Sequence, residues 1–103
     1  MRFLGCFTSL ALVACGGGGS TVDADPYPTL EDCFQEHHVT EGLSTQHTIT
    51  VCCLDHPIGS DAAGVVCGTT EAACEAYVDG NLATSDATAA DITASCTDYI
   101  NQR

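Results

Sequence analysis

Apolar positions recur at helical spacing just after residue 29. The predicted helix covers about residues 30–38, and its buried face consists of Leu30, Cys33, Phe34 and His37. Thr29 stands at the N-cap position, and Asp32 three residues later forms a near-capping box with it. We expect residues 39–44, which include Gly42, to form a loop.

Two more helices are predicted in the second half of the chain. One spans about residues 71–79, with Thr69 and Thr70 as capping candidates and Gly80 at the C′ position. The other runs from Thr88 to about Asn101. Its helical stripe is the clearest in the chain and consists of Ile92, Cys96, Tyr99 and Ile100.

Between the first two helices, residues 46–53 show the alternation of a strand. One face of this run would carry His47, Ile49, Val51 and Cys53, and many of its residues are β-branched. Residues 65–67 could return as a second short strand. The predicted fold is therefore α+β, a small disulfide-rich domain over residues 30–103 with about three helices and a short β-hairpin.

The first fourteen residues have the parts of an export signal. Arg2 supplies the positive charge, and an apolar run of about a dozen residues follows, which is too short to span a bilayer that needs roughly 20. The run ends in Leu12-Val13-Ala14-Cys15, which resembles the lipobox of bacterial lipoproteins. The resemblance implies cleavage before Cys15, diacylglyceryl transfer to its thiol, and therefore a membrane partner through the lipid anchor.

This segment also predicts the domain organisation and the location. Residues 1–14 are the signal, residues 15–29 are the lipidated cysteine with a flexible Gly, Pro and Asp tether, and residues 30–103 are the domain. Because Gly16, and not aspartate, follows the cysteine, the resemblance implies a bacterial envelope protein of the outer rather than the inner membrane. Without lipidation of Cys15 the protein would be secreted.

The charge of the chain is strongly negative. Fourteen acids face two arginines, a formal net charge of −12, and removal of Arg2 with the signal leaves Arg103 as the only Lys or Arg. Such a polyanion excludes nucleic acid as a partner, since that binding depends on neutralisation of phosphates by basic side chains. Cationic ligands or metal ions are the electrostatically favoured partners. An unidentified protein partner is the other candidate.

Six of the eight cysteines lie beyond the signal and Cys15. They are Cys33, Cys52, Cys53, Cys67, Cys74 and Cys96. An even number in an exported domain predicts a disulfide framework. Neighbouring Cys52 and Cys53 would point to opposite faces of the predicted strand, so a bridge between them is not expected. Twelve of the fifteen pairings stay open.

A metal site is the first alternative function. The candidate ligands are the four histidines His37, His38, His47 and His56, with cysteines as additional ligands. Cys33 and His37 have i, i+4 spacing, and Cys53 and His56 form a Cys-x-x-His unit. Thiolate and imidazole are ligands for zinc and copper, and the acidic surface would concentrate cations. The leading prediction, however, has no cofactor.

A hydrolase is the second alternative. Cys52-Cys53-Leu54-Asp55-His56 resembles the Cys-Cys-x-x-His core of secreted phospholipases A2, which implies His56 as the base that activates water. That family places the motif on a helix and follows the histidine with a calcium-binding aspartate, whereas Pro57 follows here. We therefore expect no enzyme, and predict an envelope-anchored lipoprotein whose acidic, disulfide-bonded domain is an interaction or structural module.

Overall fold

The computed structural model describes residues 26–103 and shows four α-helices. They are α1 (Leu30–Phe34), α2 (Thr45–Asp55), α3 (Glu71–Asn81) and α4 (Ala89–Gln102), and α1 continues directly into a π-helical segment, Gln35–Thr40. The predicted signal, Cys15 and most of the predicted tether lie outside the described residues. Within residues 26–103 none of the helices is long and apolar enough to cross a membrane.

The predicted β-hairpin is wrong, and the described part of the chain is all-helical. Residues 46–53 belong to α2, which begins where the Ser44 side chain accepts a hydrogen bond from the His47 amide at 3.1 Å. The β-branched Thr48 and Thr50 donate their hydroxyls to carbonyls one turn earlier, Ser44 and Gln46, and so fit inside a helix. The helix buries Thr48, Ile49, Thr50, Cys52 and Cys53, which do not alternate as a strand would require.

The proposed return strand at residues 65–67 is also wrong. This stretch forms turns between two glycines of positive φ, Gly64 at 81° and Gly68 at 80°. Only isolated bridges occur among residues 26–103, linking Ile58 to Tyr27 and to Asp61. Residues 65–67 therefore pair with no strand in the described part of the chain.

The three predicted helices are present, and their caps confirm the local reasoning. Thr29 and Thr70 accept hydrogen bonds from amides three residues later, and Thr88 forms a full capping box with Asp91. The first helix extends past residue 38 because the π-helical segment continues it to Thr40. The predicted helix end at Gly80 is wrong. Gly80 lies inside α3, and the helix ends at Asn81.

Three disulfides link these elements and confirm the predicted cysteine set. They join Cys33 to Cys52, Cys53 to Cys67, and Cys74 to Cys96. All six cysteines are fully buried.

Cys52 and Cys53 are not bridged to each other, as predicted, but the predicted reason, a strand with two opposite faces, is wrong. On a helix, neighbouring side chains point about a quarter-turn apart, so one residue reaches α1 and the other reaches the loop before α3.

The core lies where α2 packs on α4 and α4 packs on α3. Its largest fully buried side chains are Tyr99, Phe34, Leu30, Ile49 and Val78. A buried hydrogen bond joins the helices where the Thr50 hydroxyl meets the Ser95 carbonyl oxygen at 3.3 Å. Bridges therefore join α1 to α2 and α3 to α4, whereas packing and polar contacts hold α2 against α4.

Candidate functional site

His37 is a buried histidine on the π-helical segment. It is only 8 % exposed, and its Nδ1 lies 3.0 Å from Oε1 of Glu41. An ionised carboxylate can only accept, so Nδ1 carries the hydrogen of this bond. With the hydrogen on Nδ1, the lone pair of the neutral form of this ring lies on Nε2.

The π-helical backbone brings Glu41 close to His37. The amide of Glu41 donates to the carbonyl oxygen of Glu36 at 3.1 Å, five residues earlier, which is the hydrogen-bond spacing of a π-helix. The amide of Leu43 then donates to the His37 carbonyl oxygen at 3.0 Å and closes the turn. Such segments are rare and occur often at functional sites.

His56 lies directly after the last residue of α2 and faces His37. The two ring centroids are 4.5 Å apart, with an interplanar angle of 38°. Nδ1 of His56 is buried and has no hydrogen-bond partner among the described residues. Burial lowers the pKa of His56, and the neighbouring His37 lowers it further, while Asp55 and Glu41 oppose the shift.

Tyr27 covers the space beside the two imidazoles. Its ring centroid lies 6.0 Å from that of His37 and 5.5 Å from that of His56, edge-on to both. Its hydroxyl lies 3.4 Å from Nε2 of His37, a long contact. Burial, and then the carboxylates of Glu36 and Glu41, raise the pKa of this phenol, which therefore stays protonated at neutral pH.

Backbone contacts hold Tyr27 in place. Its amide donates to the carbonyl oxygen of Pro57 at 3.0 Å, and the amide of Gly59 donates to the Tyr27 carbonyl oxygen at 2.8 Å. Tyr27 is therefore fixed to the segment that begins immediately after His56. Neither Tyr27 nor Glu41 was predicted as a site residue, although the i, i+4 spacing of His37 and Glu41 is visible in the sequence.

The other two candidate histidines are placed differently. His38 donates from Nδ1 to the Leu43 carbonyl oxygen at 2.7 Å, and its ring lies 4.9 Å from that of Phe34. His47 is exposed on the first turn of α2. Of the four predicted metal ligands, the structure thus pairs His37 with His56 and directs His38 to the backbone.

A group of three sulfur atoms is the second cluster of ligand atoms. The Sγ atoms of Cys53, Cys67 and Cys74 lie within 4.8 Å of one another and are buried. This spacing would suit a metal ion bound by thiolates. In the folded domain, however, Cys53 is bridged to Cys67 and Cys74 to Cys96, so metal binding here requires reduction.

The remaining sequence motifs can be placed on this geometry. Cys33 is bridged to Cys52, so the proposed Cys33–His37 ligand pair does not form in the oxidised domain. The phospholipase-like run from Cys52 to Asp55 is helical and not strand-like, which corrects the predicted context of that motif. The hydrolase alternative and the expectation of no enzyme both stay predictions.

An open groove of about 370 Å³ lies between α3 and α4. Acidic Glu75 and Asp79 line the α3 side, together with the small residues Ala72 and Ala76. The α4 side contributes Ile92 and neighbouring small or polar side chains. The groove therefore combines negative charge with a shallow apolar floor.

No protein-family model matches the chain, and no curated protein or solved structure matches it significantly.

Proposed function

We propose that the chain is a lipid-anchored protein of a bacterial envelope and that its acidic, disulfide-bonded domain is an interaction or structural module. The observation that carries this proposal is the pairing of all six cysteines after residue 25 in three buried bridges. Disulfides of this kind persist in oxidising compartments, which include the bacterial envelope. A domain of this size also gains much of its stability from such bridges.

The proposed anchor residue is Cys15, which ends the Leu12-Val13-Ala14-Cys15 run that resembles a lipobox. With the six distal cysteines paired among themselves, none of them is available as a disulfide partner for Cys15. A diacylglyceryl group on Cys15 would supply two acyl chains, which give stable membrane attachment where one chain is marginal. By the same resemblance, Gly16 favours the outer membrane.

The anchor is tested by expression of the full chain in a diderm bacterium that is supplied with labelled palmitate. We expect label in the membrane fraction, and a mature chain that begins at residue 15. Cys15→Ser should abolish both. Cys6→Ser is the matched control, because Cys6 lies in the same predicted signal, and it should leave labelling and cleavage unchanged. A Cys15→Ser chain that is still cleaved before residue 15 and still labelled would disprove Cys15 as the lipidated residue.

The partner of this module is proposed to be a cationic protein. Support comes from the net charge of −12 and from the groove, where Glu75 and Asp79 border exposed Ala72 and Ala76. Charge complementarity of this kind accelerates association and suppresses binding of acidic partners. The small side chains would let a basic side chain approach the apolar floor near Ile92.

A photo-crosslinking residue in place of Ala76 tests this proposal in intact cells. We expect a discrete adduct from position 76, and its loss when Glu75→Gln and Asp79→Asn remove the two charges. The same crosslinker in place of exposed Val39, which lies on the π-helical segment, is the control and should give no such adduct. An adduct that survives neutralisation, or the absence of any adduct at position 76, would contradict a cationic partner in the groove.

A further inference from the structure

Two imidazoles from different parts of the fold lie against each other, and one nitrogen of each ring lacks a close hydrogen bond. His37 belongs to the π-helical segment and His56 follows α2, yet their centroids are 4.5 Å apart. Nε2 of His37 has only the long Tyr27 contact, at 3.4 Å, and Nδ1 of His56 is buried without a partner. A buried polar atom that lacks a hydrogen bond is costly, and each one requires a physical explanation.

We propose that His37 and His56 together bind a divalent late transition-metal ion, Zn²⁺ or Cu²⁺, through Nε2 of His37 and Nδ1 of His56. Neutral imidazole nitrogen is a preferred ligand of both ions. A bound metal ion would be the partner that the buried Nδ1 of His56 lacks. The site is independent of the proposed anchor and of the α3–α4 groove, and none of the bridged cysteines is a metal ligand in it.

Glu41 completes the arrangement that metal-binding histidines show in proteins. Such a histidine usually donates its second ring N–H to a carboxylate, which fixes the tautomer and strengthens the ligand. His37 makes this bond through Nδ1 to Glu41 Oε1 at 3.0 Å. Glu41 therefore positions His37 with Nε2 free to bind metal, and is a positioning residue rather than a ligand.

Covalent and backbone links hold the two rings at this separation. The Cys33–Cys52 bridge joins α1, which leads into the His37 segment, to α2, which ends just before His56. The hydrogen bonds of Tyr27 to Pro57 and Gly59 fix the chain on the other side of His56. A site built on such fixed elements requires little ordering when the ion binds.

Water would fill the remaining coordination positions. The Tyr27 hydroxyl lies 3.4 Å from Nε2 of His37, so it stands beside the proposed ion as a hydrogen-bonding group. Glu41 lowers the cost of a positive charge between the rings, as does the acidic character of the whole chain. For the same two nitrogens, Cu²⁺ should bind more tightly than Zn²⁺.

The first experiment titrates Zn²⁺ or Cu²⁺ alone into the oxidised mature protein at neutral pH and follows the heat of binding. We expect one ion per chain. His37→Gln and His56→Gln should each weaken binding by about tenfold or more, and Glu41→Gln, which removes the positioning carboxylate, by about tenfold. His47→Gln is the matched control, since His47 is exposed, and it should leave the affinity unchanged. Equal losses from His47→Gln and His56→Gln would show adventitious binding to surface histidines and overturn the proposal.

The second measurement needs no substitution, so it does not depend on how well the variants fold. In an imidazole ¹⁵N spectrum, Zn²⁺ should shift Nε2 of His37 and Nδ1 of His56 together, and leave the nitrogens of His38 and His47 in place. Shifts confined to His47, or spread equally over all four rings, would contradict the site. So would the absence of any shift at millimolar Zn²⁺.

Discussion

The hydroxyl of Tyr99 donates a hydrogen bond of 2.7 Å to the carbonyl oxygen of Gly68. Tyr99 is a fully buried residue of α4, and Gly68 belongs to the turn just before α3. Arg103 donates from Nη1 to the same hydroxyl at 2.7 Å and to the Gly64 carbonyl oxygen at 2.6 Å. This network attaches the end of α4 to the loop that carries Cys67.

Removal of the Tyr99 hydroxyl should therefore destabilise the domain. Tyr99→Phe keeps the ring, but it leaves the Gly68 carbonyl without this donor and leaves the Arg103 guanidinium with only its bond to Gly64. It should lower the free energy of unfolding by about 1–2 kcal/mol. Urea unfolding measures this loss as a lower midpoint. Tyr77→Phe is the control, because among residues 26–103 no group hydrogen-bonds to the Tyr77 hydroxyl, and its midpoint should hardly change. Equal midpoints for the two variants would contradict the role of the network.

Alanine substitution at Gly80 and at Gly68 should change the stability of the domain in opposite directions. Gly80 lies inside α3, and an added Cβ would meet nothing within 4 Å, so Gly80→Ala should stabilise by about 0.5–1 kcal/mol through higher helix propensity. Gly68 has φ +80°, and its Cβ would lie 2.9 Å from that of Ala73. Gly68→Ala should therefore destabilise by about 1–2 kcal/mol or more.

Thermal unfolding of the two alanine variants gives the answer, with a higher Tm for Gly80→Ala and a lower one for Gly68→Ala. A Gly80→Ala protein less stable than the parent would instead favour a helix end at Gly80, as the sequence alone suggested.

Stability should fall as the pH drops below the ordinary histidine value. The pKa of His56 is lowered from 6.5 in the folded domain, so the unfolded chain binds more protons between the folded pKa and 6.5. The contribution of neutral His56 is therefore fully present above pH 6.5 and is lost as the pH falls through the folded pKa. Urea midpoints measured from pH 7.5 downward should show this decline.

His56→Gln should flatten that decline, whereas His47→Gln, which alters an exposed side chain, should not. In ¹H NMR titrations without added metal, the His56 ring should also titrate below the ordinary histidine pKa of 6.5. A decline that is unchanged in His56→Gln would assign the proton uptake to another group.

Removal of the Cys74–Cys96 bridge should lower the free energy of unfolding by about 3 kcal/mol. The two residues are separated by 22 positions, and a loop of that size restricts the unfolded chain by roughly this amount. Both cysteines are replaced by alanine, because serine would bury an unpaired hydroxyl. Denaturant unfolding under oxidising conditions measures the loss of stability. An unchanged midpoint would show that packing of α3 on α4 does not depend on the bridge.

The corresponding pair Cys33→Ala and Cys52→Ala makes a matched comparison. Its bridge spans a similar separation of 19, so a similar loss of stability is expected. Only this second pair should also weaken metal binding at His37 and His56, because only this bridge joins the two elements that carry them.

The sequence by itself determined the features that depend on neighbours along the chain. N-caps at Thr29, Thr70 and Thr88 were predictable, since a cap side chain bonds to an amide three residues later. The apolar stripe of α4 was predictable for the same reason of local spacing. The set of six bridged cysteines followed from their number and from the predicted export signal.

Only the tertiary structure decided the conformation of residues 46–53. Their β-branched residues favour a strand, but this preference is weak and depends on a partner strand, which the turns at residues 65–67 do not provide. The burial of Ile49, Cys52 and Cys53 between α1 and α4 selects the helix instead. Gly80 was misassigned because α3 continues one residue beyond it, to Asn81, and the cost of one glycine in the last turn is small beside the rest of the helix.

The disulfide pairing and the histidine site were likewise decided in three dimensions. Spacing left twelve pairings open because it does not report which helix faces meet. His37 and His56 looked like two of four equivalent histidines until the packing of α1 on α2 brought their rings together. Tyr27, assigned to the tether from its proline-rich surroundings, lies beside them because its backbone pairs with the segment after α2.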